Sequence, residues 1–308
     1  MPNASFSSAR PWRIVELMIV VTTPTGHIGS AVVARLADAG TPFRVISRDP
    51  SKVPDGVEVV PGSHGDPAVL DAALAGADAL FWLVPPDFTI AGFTQYYRDF
   101  TAPACEAIVR HGVGRVVVVS TLGDGPDAGT LTAALDMEEQ LRDTGAAVRS
   151  LRLPSFMENL LWQRDALATQ GAFFMASRGD RVLPLVSTDD AGAVAAELLL
   201  DDTWDGQGGI PVIGTGDLTP VGMAEVMSDV LGRTISYVEI SLNDYMKQLR
   251  EHGASDGAAR DLAAMVAAQN RGFYDRDPYL ARTRGGESFR AWCRRVLMPA
   301  LDETSVPS

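Results

Sequence analysis

The sequence is poor in cysteine and histidine, the residues that form disulfides and most transition-metal sites. Its only cysteines are Cys105 and Cys293, which lie far apart and belong to no CxxC or other metal-ligand spacing. The four histidines show no such spacing either. We therefore expect two free thiols, no bound metal and a reducing compartment, the cytoplasm.

Long hydrophobic runs and positive charge are also scarce. The longest apolar runs, at 17–21, 79–84 and 116–119, have the length of strands and fall well short of the ~20 residues of a membrane span. The chain has 26 basic and 39 acidic residues and a net charge of −13. Because nucleic acids bind through clustered Lys and Arg, we do not expect a nucleic acid as partner. Because the apolar runs are too short to span a bilayer, we do not expect a membrane as partner either.

What the 308 residues do have is a core, since 46% of them are hydrophobic. Residues 1–16 are rich in Ser and lack an apolar pattern, and we expect a disordered extension there. From Leu17 onward, short β-type runs alternate with helical stretches. The predicted strands are 18–21, 43–46, 57–60, 79–84, 115–119 and 148–153, and the predicted helices are 26–39, 67–75, 94–110 and 131–143.

This order of elements predicts an α/β fold with a doubly wound parallel (Rossmann) sheet over residues 17–155. The pattern is less regular over 156–308, where we expect a smaller C-terminal substrate lobe packed on the core. Its predicted helices are 157–169, 189–200, 219–231, 242–251 and 257–270, with short strands near 210–213 and 234–240.

The turn after the first strand reads VTTPTGHIG and has the composition of a dinucleotide site. A glycine such as Gly26 lets the backbone approach a pyrophosphate at the helix N-terminus, and Gly29 lets the helix pack closely on the strand. The first glycine of the usual pattern is replaced by Thr23. The alternative is an ordinary strand-to-helix turn.

The end of the second strand points to the phosphorylated dinucleotide. NAD-binding chains place an acidic residue there, whereas this chain has Arg48, followed by Lys52. A guanidinium binds a 2′-phosphate through two charge-assisted hydrogen bonds. We therefore expect NADPH rather than NADH, the alternative being that Arg48 is a solvated surface residue.

These segments, with GVGRVVVVSTLG and VSTDDAGAVAAELLL further on, resemble the NmrA-like branch of the atypical short-chain dehydrogenase/reductases. The resemblance covers about Met18 to Arg295 and implies a Rossmann core with a set of cofactor contacts. Those contacts are Thr22, Thr23, Thr25, Gly26, His27, Ile28, Arg48, Lys52, His64, Leu83, Val84, Pro85, Ser120, Thr121, Pro154, Ser155 and Phe156.

The catalytic residues are not evident. Ordinary members of the superfamily use a Tyr with a Lys four residues later, and the only lysines here, Lys52 and Lys247, have no such partner. Ser120 is the candidate that remains, although its hydroxyl could instead cap the end of the strand. We expect the acidic cluster Asp136, Glu138 and Glu139 to be a solvated helix face, the alternative being an acid/base pair.

Aromatic side chains suggest a flat apolar substrate pocket, with core packing as the alternative. Phe173, which directly precedes Phe174, is one of these aromatic side chains. The candidate substrate contacts are Phe88, Phe156, Asn159, Trp162 and Phe174.

The sequence thus predicts an NADPH-dependent reductase, a monomer or homodimer. It would transfer hydride to a quinone-like, azo or conjugated carbonyl small molecule. Two alternatives stay open: a catalytically silent NAD(P)-binding redox sensor, and a non-redox isomerase or cyclase on the same fold.

Overall fold

A computed structural model describes residues 17–216, 218–280 and 286–304. The predicted N-terminal extension lies outside these residues. The first half of the chain alternates strands and helices. Its elements are β1 (Ile19–Val21), α1 (His27–Asp38), β2 (Phe43–Ser47), β3 (Glu58–Pro61), α2 (Pro67–Leu74), β4 (Ala79–Trp82), α3 (Phe93–His111), β5 (Arg115–Thr121), α4 (Thr130–Arg142) and β6 (Ala147–Leu153).

The second half mixes short strands with helices. The single predicted helix 157–169 is divided into a short 3-10 helix (Met157–Gln163) and an α-helix (Arg164–Gln170). The short strands at 155–156, 172–175 and 185–186 and the helices at 289–292 and 298–304 were not predicted. The elements are β7 (Ser155–Phe156), α5 (Arg164–Gln170), β8 (Ala172–Met175), β9 (Leu185–Val186), α6 (Thr188–Leu200), β10 (Gln207–Pro211), α7 (Pro220–Leu231), β11 (Ser236–Glu239), α8 (Leu242–Glu251), α9 (Asp256–Asn270), α10 (Phe289–Trp292) and α11 (Met298–Thr304).

Seven strands form one sheet in the order β10-β6-β5-β4-β1-β2-β3, and every neighbouring pair in it is parallel. The predicted doubly wound α/β fold is confirmed. Strand order reverses between β1 and β4, which is where such sheets bind ligands, at the carboxyl ends of their strands. This carboxyl edge is where the predicted site residues belong.

Both faces of the sheet are covered, which explains why the neighbouring strands β1 and β4 are apolar at every position. In β1, Ile19 and Val21 pack under α1 and α6, while Val20 faces α2, α3 and α4. The contact between α1 and α6 is close, because a Cβ on Gly192 would lie 3.0 Å from the Ile28 carbonyl oxygen.

A third core lies in the second half and includes Phe173 and Trp292, both fully buried. Trp292 donates its indole N–H to the Glu158 carboxylate at 3.0 Å, which satisfies both buried groups. The sheet itself takes β10 from this half of the chain. The division into units at residue 155 stays a prediction.

Candidate functional site

The turn between β1 and α1 is held by Thr22. Its buried hydroxyl donates to the Phe81 carbonyl at 3.0 Å and accepts from the Leu83 N–H at 3.1 Å, so the turn is tied to β4. Gly26 occupies the N-cap position of α1, and no side chain caps this helix. The first N–H groups of α1 are therefore open to an anion, and the predicted contacts Thr25, Gly26 and His27 lie exposed beside them.

Glycine is required at position 29, since a Cβ there would lie 2.0 Å from the Thr23 carbonyl oxygen. A Cβ on Gly26, in contrast, would meet only that same oxygen, at 3.5 Å. The space in front of Gly26 is open. Thr23 has a positive φ of 50°, and its buried hydroxyl has no hydrogen-bond partner among the described residues. The turn therefore fits a pyrophosphate.

Arg48 directly follows β2 and is exposed. Over the described ranges its guanidinium forms no hydrogen bond or ion pair, so it is available to an anion. Lys52 is also exposed but lies 3.6 Å from the Asp49 carboxylate. A hydrogen bond from Ser51 lowers the pKa of Asp49, which keeps this acid charged beside Lys52. Of the two predicted phosphate ligands, Arg48 is the one without a competing partner.

His64 follows β3 in the sequence, and its side chain contacts the end of β4. Its Nε2 lies 3.0 Å from the Leu83 carbonyl oxygen, and its ring packs edge-on against Trp82 and Phe100. Burial and, to a smaller extent, the nearby Arg48 charge outweigh the hydrogen bond to the Leu83 carbonyl and lower the pKa of His64 to about 4, so the imidazole is neutral at neutral pH. We call Arg48, Lys52, His64 and the turn from Thr23 to Gly26 the outer end of the site.

Ser120 and Thr121 are the last residues of β5, two residues beyond the predicted strand end. The Ser120 hydroxyl donates to Glu138 Oε2 at 2.7 Å. Glu138 is 1% exposed, accepts a hydrogen bond from Arg152 at 2.7 Å and forms an ion pair with Arg142. The hydrogen of Ser120 is thus committed to a carboxylate.

The prediction of a solvated acidic face is wrong for Glu138. The apolar periodicity of α4 buries position 138 together with Met137 and Leu141 against the sheet, and Arg152 supplies the opposite charge there. Glu139 is exposed, as predicted.

Arg152 and Asp277 extend this buried network and were not found from the sequence. Arg152 donates to the Gly123 carbonyl at 3.1 Å and lies 3.8 Å from the Asp277 carboxylate, which accepts from the Gly123 N–H at 2.9 Å. An arginine within an apolar strand was the available signal, because a buried cation requires a partner. Asp277 gave no such signal.

Pro154, Ser155 and Phe156 follow β6, where β7 pairs with β9. Ser155 and Phe156 are half-buried. The hydroxyl of the buried Tyr274 reaches this point and accepts from Gln269 Nε2 at 2.6 Å. We call Ser120, Thr121, Glu138, Arg152, Ser155, Tyr274 and Asp277 the inner end of the site.

Among the predicted substrate residues, Phe88 and Trp162 come together, with ring centroids 6.3 Å apart. Trp162 is 81% exposed, so its ring is available to a ligand. The Ser255 N–H holds the loop of Phe88 through a 2.8 Å bond to the Phe88 carbonyl. The remaining three are dispersed: Asn159 is exposed, Phe156 packs on the core, and the backbone of Phe174 bonds the Gln163 side chain.

Val84 and Pro85 follow Leu83, and the Tyr96 hydroxyl donates to the Pro85 carbonyl at 3.0 Å.

No group of three potential metal ligands occurs among the described residues. None of the described helices is both long and apolar enough to cross a membrane.

The chain is similar to known proteins in sequence and in structure. The chain is 29% identical to an NAD(P)H azoreductase of Xenophilus azovorans over 258 residues, 81% of this chain and 86% of that protein. It is 33% identical to the (4-alkanoyl-5-oxo-2,5-dihydrofuran-3-yl)methyl phosphate reductase of Streptomyces griseus over 234 residues, 73% and 78% of the two chains.

By structure, the chain is similar to an NADPH-dependent quinone oxidoreductase of Escherichia coli in complex with NADPH. The TM-score is 0.74 at 22% identity, over 93% of this chain and 99% of that one. This likeness establishes a shared fold. The model of the NmrA-like family matches residues 16–292, and the chain belongs to that family.

Proposed function

We propose that the protein is an NADPH-dependent reductase that transfers hydride to a flat, conjugated electrophile. Quinone-like, azo and conjugated carbonyl compounds are the acceptors we expect. The observation that carries the proposal is the outer end of the site, where a helix N-terminus without a side-chain cap lies on the same edge of the sheet as Arg48, which is exposed and has no partner among the described residues. The names of the two sequence relatives, both reductases, support the same reaction class.

The outer end would hold the phosphates of NADPH. The N–H groups at the start of α1 suit the pyrophosphate, and the space in front of Gly26 allows its approach. Arg48 suits the 2′-phosphate, whose charge needs a local cation on a protein with a net charge of −13. Bound there, NADPH supplies the hydride.

The protein contributes orientation more than proton transfer. Phe88 and Trp162 offer two aromatic rings to a flat acceptor at the same edge. Ser120 has its hydrogen held by Glu138, and His64 is neutral with Nε2 against a carbonyl, so neither is a ready proton donor. A quinone or azo acceptor needs little acid assistance, and solvent supplies the proton.

A second candidate function is a silent NAD(P)-binding sensor. The hydrogen bond from Ser120 to Glu138 favours the sensor. Because Ser120 donates its hydrogen to Glu138, it cannot readily protonate a substrate. The aromatic pair of Phe88 and the exposed Trp162 favours the enzyme.

The test is NADPH oxidation, followed by absorbance, against a panel of quinones, azo dyes and conjugated ketones, with NADPH binding measured in parallel by calorimetry. The reductase is expected to consume NADPH with at least one class of acceptor and to prefer it over NADH. Tight NADPH binding with steady absorbance for every acceptor would support the sensor. Absence of NADPH binding would contradict both.

A further inference from the structure

The loop between β4 and α3 carries Phe88, and we call residues 83–92 the Phe88 loop. Its start is held by the sheet and by α3. The Leu83 N–H donates to the Thr22 hydroxyl at 3.1 Å, and the Pro85 carbonyl accepts from a tyrosine of α3 at 3.0 Å. The predicted cofactor contacts of the loop belong to this start, which is therefore fixed without any contribution from α9.

The far end of the Phe88 loop is held by the beginning of α9. Ser255, the N-cap residue of α9, donates its N–H to the Phe88 carbonyl at 2.8 Å and its hydroxyl to the Ile90 carbonyl. The two backbones are in direct contact, since a Cβ on Gly257 would lie 1.7 Å from the Ala91 carbonyl oxygen. The part of the loop that bears Phe88 thus depends on α9 for its position.

Asp261, further along α9, binds the first residue of α3. Its Oδ2 accepts the Phe93 N–H at 2.8 Å, across 168 positions of the chain. The N-cap residue of α3 is Gly92, which has no side chain to satisfy this N–H. A carboxylate at a helix N-terminus also complements the helix dipole. Asp261 therefore caps α3 from another helix and fixes the backbone at Phe93.

The ring of Phe93 connects this cap to the aromatic pair of the site. Phe93 is buried, and its ring centroid lies 6.2 Å from that of the half-buried Phe88, edge to face. Phe88 in turn lies edge to face with the exposed Trp162, at 6.3 Å. The three rings form a continuous row from the core to the surface. Because a close-packed core does not absorb displacements, a shift of Phe93 would move Phe88 relative to Trp162.

We propose that Asp261 is a positioning residue for the electron acceptor. By holding the N–H of Phe93 it fixes the Phe93 ring, and through that ring it fixes Phe88 opposite Trp162. The inference rests on the proposed function, since it takes this aromatic pair as the place where a flat acceptor binds. It involves no covalent step, because Asp261 acts on the acceptor through the position of Phe88.

Steady-state kinetics at saturating NADPH test this, with whichever quinone, azo dye or conjugated ketone of the panel gives the highest kcat/KM. Asp261→Ala is expected to raise the KM for that acceptor by about 2- to 12-fold, and by no more than Phe88→Ala does. The Kd of NADPH should stay unchanged, because the start of the Phe88 loop is held without α9. The double variant of Phe88→Ala and Asp261→Ala is expected to have the KM of Phe88→Ala alone.

Two further variants separate positioning from a general contribution to stability. Asp261→Asn keeps a side-chain oxygen that can accept the Phe93 N–H, so its KM is expected to stay within about 2-fold of the wild-type value. Asp78→Ala is the matched control. The Asp78 carboxylate also accepts the N–H of a distant residue, Met18 at 2.8 Å, but it does so at the amino edge of the sheet. Its removal is expected to lower the free energy of unfolding and to leave the KM unchanged.

An unchanged KM in Asp261→Ala, with a raised KM in Phe88→Ala, overturns the inference and leaves the proposed function intact. So does a double variant in which the two effects on KM multiply, because Asp261 would then act independently of Phe88. Absence of turnover with every acceptor overturns the proposed reductase, and the inference with it.

Should Asp261→Ala fail to fold, Phe93→Leu decides the question. Leucine keeps an apolar side chain in the core at this position but removes the ring that lies against Phe88. The KM of Phe93→Leu is expected to rise as for Asp261→Ala, and an unchanged KM overturns the inference.

Discussion

The two ends of the site are built in opposite ways. At the outer end, Arg48 and Lys52 are exposed, and Arg48 has no charged partner among the described residues. At the inner end, Glu138 and Arg152 are buried and bonded to each other at 2.7 Å. The outer end is thus open to an external anion, whereas the charges of the inner end are paired with one another. Substitution of the exposed Arg48 at the outer end should change cofactor binding, whereas substitution of the buried charges at the inner end should change stability.

Removal of the Glu138 carboxylate is expected to have the largest effect. Glu138→Ala leaves the buried Arg152 without its nearest carboxylate and should lower the free energy of unfolding by about 3–5 kcal/mol. Urea denaturation measures it. The control is the neighbouring Glu139→Ala, which removes an exposed partner of Arg142 and should cost about 1 kcal/mol or less. Equal effects of the two substitutions would show that burial of Glu138 does not matter.

His64 should make stability depend on pH. Its folded pKa of about 4 lies below the ordinary value of 6.5, so the unfolded state binds the proton more readily between these values. The free energy of unfolding should therefore fall as the pH is lowered from 6.5 to 4, by up to about 3 kcal/mol.

Comparison with His64→Gln isolates this contribution. The difference in free energy of unfolding between the two proteins, measured by denaturation at each pH, should change through the window. His252→Asn, at an exposed position, is the control and should run parallel to the wild type. A wild-type curve parallel to that of His64→Gln would mean that His64 is not held neutral.

Arg48 should determine which cofactor binds. Hydrogen bonds to charged groups contribute about 1.5–3 kcal/mol, so Arg48→Ala should weaken NADPH by roughly 10- to 150-fold and change NADH little. Arg48→Asp should reverse the preference. Lys52→Ala is the comparison, with a smaller effect because Lys52 also faces Asp49. Calorimetry gives the Kd of each cofactor. An equal increase in the Kd of NADPH and of NADH in Arg48→Ala would contradict this prediction.

The same contrast explains what could be predicted from the sequence. Most of the outer end could be predicted because its residues are close together in the sequence, in the turn from Thr23 to Gly26 and from Arg48 to Lys52. His64 was implied only by the family resemblance. The sheet was predicted because its strands are short, mostly apolar runs separated by helices or turns. The short strands β7, β8 and β9 and the 3-10 helix after β7 were not predicted.

The inner end could not be predicted, because its contacts join distant positions. The bond between Ser120 and Glu138 spans 18 positions, and that between Gly123 and Asp277 spans 154. Neither pair has a local sequence pattern. From the sequence alone, a charged residue such as Glu138 in an amphipathic helix is assigned to the solvated face. Only the structure shows that Arg152 of β6 lies opposite it.

The aromatic pair should affect the acceptor and not the cofactor. Trp162→Ala and Phe88→Ala should each raise the KM for a flat aromatic acceptor by about 2- to 12-fold, the range of one aromatic contact, and leave the Kd of NADPH unchanged. Val109→Ala, which also removes an exposed apolar side chain, is the control. Steady-state kinetics with unchanged KM in both variants would place the substrate elsewhere.

The smallest effect is expected at Thr23, in the turn of the outer end. Its φ of 50° is unfavourable for a β-branched residue, and its buried hydroxyl has no partner in the described part of the chain. Thr23→Gly relieves both costs, but glycine gains conformational freedom in the unfolded state. The net result should be a free energy of unfolding higher by about 0.5–1 kcal/mol, measured by urea denaturation. Asp127→Gly, at the other described non-glycine position with a positive φ, should gain less, because Asp tolerates this conformation better than Thr. If Thr23→Gly were instead destabilising, the threonine side chain would be supporting the turn, and the outer end would depend on internal packing as the inner end does.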